Sequence, residues 1–365
     1  MEQKNKKVYA EQGRRVIVAM SGGVDSSVAA ALLKKQGFDV AGVFMRFWKQ
    51  SEGEICFPSE GEKSARRVAE KLKISFYTLD LVKEFKKEVV DYFLAQQSRG
   101  RTPNPCVVCN KKIKFAMMFK TALKMGIAFV ATGHYARLRC LANDKSQIVL
   151  ASAKDKQKDQ SYFLYQLNQR QLRKIIFPVG DYTKEQVMKM ARNWKLPCQR
   201  EQSFDLCFMT GDHESFIKKY LKLKPGKIAN LAGNVLGTHQ GLPLFTIGQR
   251  KRLPIARGPW WVVKKDEKKN ILYVSNNGKD LYSRELFVSQ LNWIGGQEPK
   301  LPLNICAKIR YKSEASAATL RPLDFARGKN YLQVIFKKPQ RAITPGQSVV
   351  FYKKNGEVIG GGEIK

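Results

Sequence analysis

Two short, almost wholly apolar runs that break straight into glycine limit what this chain can fold into. One is VIVAM, residues 16–20, followed by Ser21, Gly22 and Gly23; the other is IAFVAT, residues 127–132, followed by Gly133 and His134. A strand apolar on both faces is buried on both faces, as in a parallel sheet covered by helices. The intervening sequence supplies the helices. Ser26 or Ser27 is placed to cap a helix that carries Val28, Leu32 and Leu33 and ends at Gly37. Asp39–Met45 and ISFYTL read as strands, and Lys63–Leu72, Glu84–Gln97 and Lys111–Met125 as helices. This alternation predicts a doubly wound, Rossmann-like parallel sheet. Ligands of such sheets bind beyond the carboxyl ends of the strands, where both glycine loops fall. Thr183, with Gln186 three residues on, has capping-box spacing and opens a helix that buries Val187, Met190, Ala191 and Trp194.

Beyond about Thr210 the texture changes to Gly, Pro and short β-rich runs. WWVVKKDEKKNILYVS reads as a hairpin with a solvated, Lys-rich turn. From about Arg284, LFVSQLNWI, NICAKIRY, YLQVIF and SVVFYKKNGEVIGGGEI predict a small antiparallel β-barrel, with Arg310 and Tyr311 on its second strand. Three domains are expected: 1–210, α/β; 211–283, central and β-rich; and 284–365, the barrel.

Sign of charge narrows the partners. Charged residues make up an ordinary 27% of the 365, but 66 are Lys or Arg and 31 Asp or Glu, a formal net charge of +35. A polyanion relieves the self-repulsion this creates, which points to nucleic acid. No apolar run approaches the ~20 residues of a membrane span. The first residues hold two acids and no apolar signal core, so a cytoplasmic protein with no membrane partner is expected. Seven cysteines spread over the chain do not resemble a disulfide framework.

SGGVDSS follows its strand without the lysine of GxxxxGK[ST] and without the spacing of GxGxxG. Its physics is related. Gly22 and Gly23 let the backbone approach an anion, and the amides of Ser21–Gly23 and of the next helical turn favour negative charge. Ser21, Ser26 and Ser27 add hydroxyls, while Asp25 fixes the loop or holds Mg²⁺. A pyrophosphate is the expected ligand, against the plainer reading of a glycine turn before a helix.

TPNPCVVCNKKIKF supplies Cys106 and Cys109, and SFDLCF supplies Cys207. Lys111, Lys112 and Lys114 follow Cys109, and a helix N-terminus there is expected to lower its thiol pKa. Cys140, Cys198 and Cys306 read as small core residues, and Cys56 is undecided. Three chemistries use the remaining thiols: zinc binding with Cys207 and His213, a redox pair, or sulfur transfer to an ATP-activated carbonyl.

SGGVDSS resembles the PP-loop of the N-type ATP pyrophosphatases, which adenylate a substrate and release pyrophosphate. SGGVDSS, TPNPCVVCNKKIKF, ATGHYAR, KDQSYFL, SFDLCF, FTIGQRK, IRY and AITPGQSVVFY, in this order, resemble the tRNA-specific 2-thiouridylases along essentially the whole chain. The resemblance implies ATP-dependent 2-thiolation of the wobble uridine in tRNAs for Lys, Glu and Gln. It implies ATP with Mg²⁺ held at Ala19, Met20, Ser21, Gly22, Gly23, Val24, Asp25, Ser26, Met45 and Gly133. Cys109 would be the nucleophile and Cys207 the persulfide carrier. Asn104, Pro105 and Cys106 would meet the target base. His134, Lys158, Asp159, Gln160, Arg310, Tyr311 and Gln347 would contact tRNA. A sulfur-donor protein, either a cysteine desulfurase or a relay carrier, would serve a monomeric enzyme.

Two positions depart from the family pattern. Many members carry Asp where this chain has Cys106, and some relatives with three such cysteines hold a 4Fe–4S cluster, so Cys106, Cys109 and Cys207 are also a candidate cluster set. Arg252 stands in FTIGQRKRLPI where relatives usually show Gly. The alternatives are a zinc-binding, basic RNA-binding protein without ATP chemistry, or a PP-loop enzyme of the lysidine-forming, amine-transfer kind.

Overall fold

A computed structural model of the chain describes residues 15–47, 59–141, 144, 146–199, 206–209, 212–256, 258–323 and 331–365. Cys56 lies outside them. Strands β1 (Arg15–Ala19), β2 (Asp39–Arg46), β3 (Ser75–Asp80) and β4 (Phe129–Thr132) are parallel. β5 (Ala136–Cys140) and β6 (Ile148–Ser152) form a separate hairpin, and β7 (Ile175–Ile176) completes a sheet ordered β3-β2-β1-β4-β7. Val16, Ile17, Val18 and Val130 have no exposed surface. Alternate residues feed two cores: Ile17 and Val130 pack with Cys109 and Phe115, Val16 and Val18 with Phe44 and Phe129. After β3 the chain crosses to the far side of β1, so the switch point lies between β1 and β4.

Helix α1 (Val24–Lys35) follows β1. Helix α2 (Glu60–Leu72) is capped by Ser59, whose hydroxyl accepts from the Glu62 amide at 3.2 Å. Helix α3 spans 82–98 and contains a π segment, Lys86–Val90; α4 spans 105–124 and contains another, Cys109–Phe115. α5 (Gln169–Leu172), α6 (Lys184–Asn193) and α7 (His213–Tyr220) follow. The Thr183–Gln186 capping box forms as expected; Val187 and Ala191 are buried, Met190 and Trp194 half-buried.

β8 (Gly226–Asn230), β9 (Val235–His239), β10 (Trp261–Asp266) and β11 (Ile271–Ser275) form a second sheet ordered β10-β11-β8-β9, with the Lys-rich hairpin at β10–β11. β12 (Tyr282–Trp293), β13 (Leu303–Lys308), β14 (Ser316–Pro322), β15 (Leu332–Arg341), β16 (Ser348–Tyr352) and β17 (Val358–Ile364) close an antiparallel barrel. Leu286, Val288, Leu320, Val334, Phe336 and Phe351 fill it. The α/β sheet, small β unit and C-terminal barrel are those the sequence predicts. No helix among the described residues is long and apolar enough to cross a membrane.

Three local expectations are corrected. Neither Ser26 nor Ser27 caps α1. The N-cap is Gly23, with no side-chain cap, and both hydroxyls donate to the Gly23 carbonyl at 3.2 and 2.8 Å. Arg310 and Tyr311 lie in the turn beyond β13, because the strand ends at Lys308. Arg252 keeps the glycine-like backbone, with φ +61°.

Candidate active site

The loop after β1 is built around one backbone reversal. Gly22 has φ +83°, and a Cβ there would lie 2.1 Å from the Gly61 carbonyl at the start of α2. Its own carbonyl accepts from Ser64 Oγ at 2.9 Å and the Gln199 amide at 3.0 Å. Ser21 and Ser26 hydroxyls lie 3.1 Å apart. With no side chain capping α1, its first-turn amides and dipole face the loop. Gly133, just past β4, approaches closely enough that a Cβ would lie 2.7 Å from the Ser26 amide nitrogen. Ala19 ends β1 and Met20 follows it, and Met45 lies near the carboxyl end of β2. Thus Ala19 to Ser26, Met45 and Gly133 share the carboxyl edge of the sheet at its switch point.

Asp25 does not point into open space. Its carboxylate accepts from Tyr135 Oη at 2.7 Å and from Lys184 Nζ at 2.8 Å, in an ion pair with both side chains under one-fifth exposed. Lys184 escaped the sequence reading. A signal was present: it stands in the first turn of α6, where the helix dipole disfavours a cation unless an anion faces it.

Asn104 caps α4 by accepting from the Val107 amide at 3.4 Å, Pro105 fills the first helical position, and Cys106 follows. Cys109 lies inside the helix, at the head of the π segment, not at a helix N-terminus. It is 5% exposed, Cys106 is half-buried and Cys207 is exposed as a residue; all three are free thiols. Phe208 pins the Cys207 segment among Phe85, Phe93 and Phe216, an extension of the core that holds Cys109. The expected pKa depression is overturned. Burial pushes Cys109 up to about 12 and Cys106 up to about 11, and it raises Cys207 as well. The nearby Lys114 ammonium lowers all three, but by less, because a thiolate loses more on leaving water than one half-buried cation returns. Cys106 and Cys109 each sense the charge of Cys207, so the three sulfurs share one neighbourhood. They do not form a metal-ligand set: among the described residues no group of three His, Cys, Asp or Glu is arranged to hold a metal ion.

Phe115, in the π segment that Cys109 begins, packs on His134 and links the thiol helix to the Gly133 turn. His134 is 9% exposed, lies over Phe115 at 6.0 Å and shares a 2.8 Å hydrogen bond with Thr132. Burial first, then Lys114, push its pKa down to about 3, so the ring is neutral. Lys158 is exposed. Asp159 is buried and accepts from the Ala153 amide at 3.0 Å and from Ser161 Oγ at 3.0 Å. Gln160 Oε1 accepts from the Tyr135 amide at 3.0 Å. Arg310 donates to the carbonyls of Arg341 and Ala342. Tyr311 packs on Phe163 at 4.5 Å, and the Phe163 carbonyl accepts from Asn110, next to Cys109, at 3.4 Å. Gln347 donates to the Thr102 carbonyl at 3.0 Å.

A glycine-lined turn at a sheet switch point, near three clustered thiols, defines an α/β nucleotide-binding protein with two appended β units. The chain matches three family models: "tRNA methyl transferase HUP domain" over residues 14–211, "tRNA methyl transferase PRC-barrel domain" over 214–276 and "Aminomethyltransferase beta-barrel domain" over 283–364. It is 44% identical to the tRNA-specific 2-thiouridylase MnmA of Moorella thermoacetica, over 96% of this chain and 99% of that one. It is 41% identical to the same-named protein of Carboxydothermus hydrogenoformans, over 96% and 98%. The chain belongs to the family of tRNA-specific 2-thiouridylases. The U34-tRNA thiolase NcsA of Methanococcus maripaludis, solved with its 4Fe-4S cluster, overlaps 60% of this chain and 70% of its own at 18% identity and a TM-score of 0.36.

Proposed function

We propose that the chain carries out ATP-dependent 2-thiolation of the wobble uridine of tRNAs for Lys, Glu and Gln. Residues 1–210 perform catalysis, while 211–283 and 284–365 hold the RNA. One observation carries this reading: His134 stacks at 6.0 Å on Phe115, which ends the π segment that Cys109 begins, and His134 adjoins the Gly133 that abuts Ser26. The anion cradle and the thiols therefore adjoin.

ATP is the activating substrate. The amides of Ser21–Gly23 and of the first turn of α1, with the Ser21 and Ser26 hydroxyls, receive its pyrophosphate, and Ala19, Met20, Val24, Met45 and Gly133 wall the nucleotide. Asp25, whose carboxylate is bonded by Tyr135 and Lys184, would hold Mg²⁺, which would neutralise phosphate charge. The uracil is everted against Asn104, Pro105 and Cys106. Its carbon-2 oxygen attacks the α-phosphorus, pyrophosphate leaves, and the poor leaving group becomes AMP. The terminal sulfur of a Cys207 persulfide then attacks carbon 2, AMP departs, and a carbon–sulfur–sulfur–Cys207 bond remains. Cys109, losing its proton, attacks the Cys207 sulfur. The carbon-2 sulfur leaves as 2-thiouridine with both electrons, and Cys109 and Cys207 are left oxidised as a disulfide, which a dithiol reductant reopens. No step uses a cluster.

Lys158 and the Tyr311–Phe163 pair face the RNA, supplying charge and a stacking surface. Asp159, Gln160, His134 and Arg310 shape that surface through their internal bonds. The protein acts as a cytoplasmic monomer loaded by a sulfur-donor protein. The test is mass spectrometry of tRNA nucleosides after incubation with ATP, a cysteine desulfurase and cysteine. The expected result is 2-thiouridine with the intact protein and none with Cys207→Ser, while ATP–pyrophosphate exchange persists in that variant. Undiminished thiolation by Cys207→Ser contradicts the proposal.

A further inference from the structure

The segment that enters the cysteine helix is held from outside its own domain. The Thr102 amide donates to the Pro345 carbonyl at 3.0 Å, and Gln347 Nε2 donates back to the Thr102 carbonyl at 3.0 Å. Between these bonds sits Gly346, with φ +91°, where a Cβ would meet Arg101 Cβ and the Thr102 nitrogen, each at 3.1 Å. Arg101 pairs at 3.3 Å with Glu363, a 7%-exposed carboxylate of β17. Nearby, Tyr162 Oη donates to the Ser348 carbonyl at 2.8 Å. The 345–347 loop is itself fixed to the barrel, since the Gly346 amide donates to the Ile364 carbonyl and the Ile364 amide to that of Gln347. Three consecutive residues of the barrel unit, 345–347, therefore meet Arg101 and Thr102, and Glu363 of β17 holds Arg101, a few residues before Cys106.

Resting on the thiolation reading, we propose that this grip is a clamp by which the barrel sets the position of the cysteine helix. Gln347 is then a positioning residue for sulfur transfer, acting through Thr102. Among the described residues the Thr102 amide and carbonyl both bond to the barrel unit, so removing the Gln347 donor strands a carbonyl and frees the turn. A helix start that shifts by about 1 Å misaligns the attack geometry and costs on the order of 100-fold in rate. A surface side chain that only touched RNA would change affinity instead.

The test compares Gln347→Glu, which keeps the length but cannot donate, with Gln347→Ala and Glu363→Gln. Three quantities are read: tRNA affinity by filter binding, the separate kcat and KM for tRNA in thiolation, and the rate at which iodoacetamide labels Cys106 and Cys109 without RNA. Expected are tRNA affinities within about twofold of the parent, kcat lower by about 10- to 100-fold, and labelling of Cys106 several-fold faster in the two Gln347 variants. Weakened tRNA binding with unchanged kcat and labelling overturns the clamp in favour of an RNA contact. Unchanged values throughout overturn it as well. If the parent protein makes no 2-thiouridine, the thiolation reading fails, while the labelling arm still decides whether the barrel holds the cysteine turn.

Discussion

His134 and Asp25 show how burial reassigns a residue that sequence marks as chemical. A histidine after a strand-end glycine reads equally as an RNA contact or a turn residue; packing against Phe115 and Phe177 makes it a neutral part of the core. Its folded pKa lies near 3 against an ordinary 6.5, so between those values the unfolded chain takes up a proton that the folded one refuses. Stability from this group is full above pH 6.5 and is lost as pH falls toward 3. His134→Gln is expected to flatten the fall of Tm with acid below about pH 6.5, checked by scanning calorimetry against the parent in the same buffers; an unchanged slope contradicts the buried neutral ring. The Asp25–Lys184 pair carries a different expectation. A charge-assisted bond of this kind is worth about 1.5–3 kcal/mol, so Lys184→Met should lower ATP–pyrophosphate exchange by about tenfold or more while tRNA binding stays unchanged. Equal exchange in both proteins would remove Lys184 from the ATP site.

Among the elements, those with strong periodic signals are legible: β1 and β4 from continuous apolar runs, α6 from its capping box, the β10–β11 hairpin from its charged turn. Local competition blurs the rest. The start of α1 escaped because serine favours caps in general, yet Ser26 and Ser27 turn back to the Gly23 carbonyl and leave the cradle uncovered. The thiol pKa values of α4 escaped because flanking lysines are visible in sequence and desolvation is not. Arg252 is the converse, a place where the departure from glycine was legible and the backbone did not follow it. Left-handed strain costs about 1–2 kcal/mol, and glycine returns about 0.5–1 kcal/mol of that as chain entropy. Arg252→Gly should therefore be about 0.5–1 kcal/mol more stable in urea unfolding, with an unchanged m-value. A destabilised variant would mean that the Arg252 side chain outweighs the strain.

For the whole molecule, charge and strand texture announced an α/β unit followed by β units bound to a polyanion, but not the joint between them. The contacts of Thr102 with Gln347, Arg101 with Glu363 and Tyr162 with Ser348 each link residues more than 180 positions apart, and neither partner carries a periodic or compositional mark. They nonetheless make the barrel part of the thiol site. The central claim is that sulfur passes from Cys207 to carbon 2 of the uridine, with Cys109 resolving the last bond, beside an ATP-filled cradle. Peptide mapping of the protein under non-reducing conditions after a single turnover, with no added reductant, tests it most directly. The account predicts a Cys109–Cys207 disulfide equal in amount to the 2-thiouridine formed; 2-thiouridine accumulating while both thiols stay reduced would contradict it.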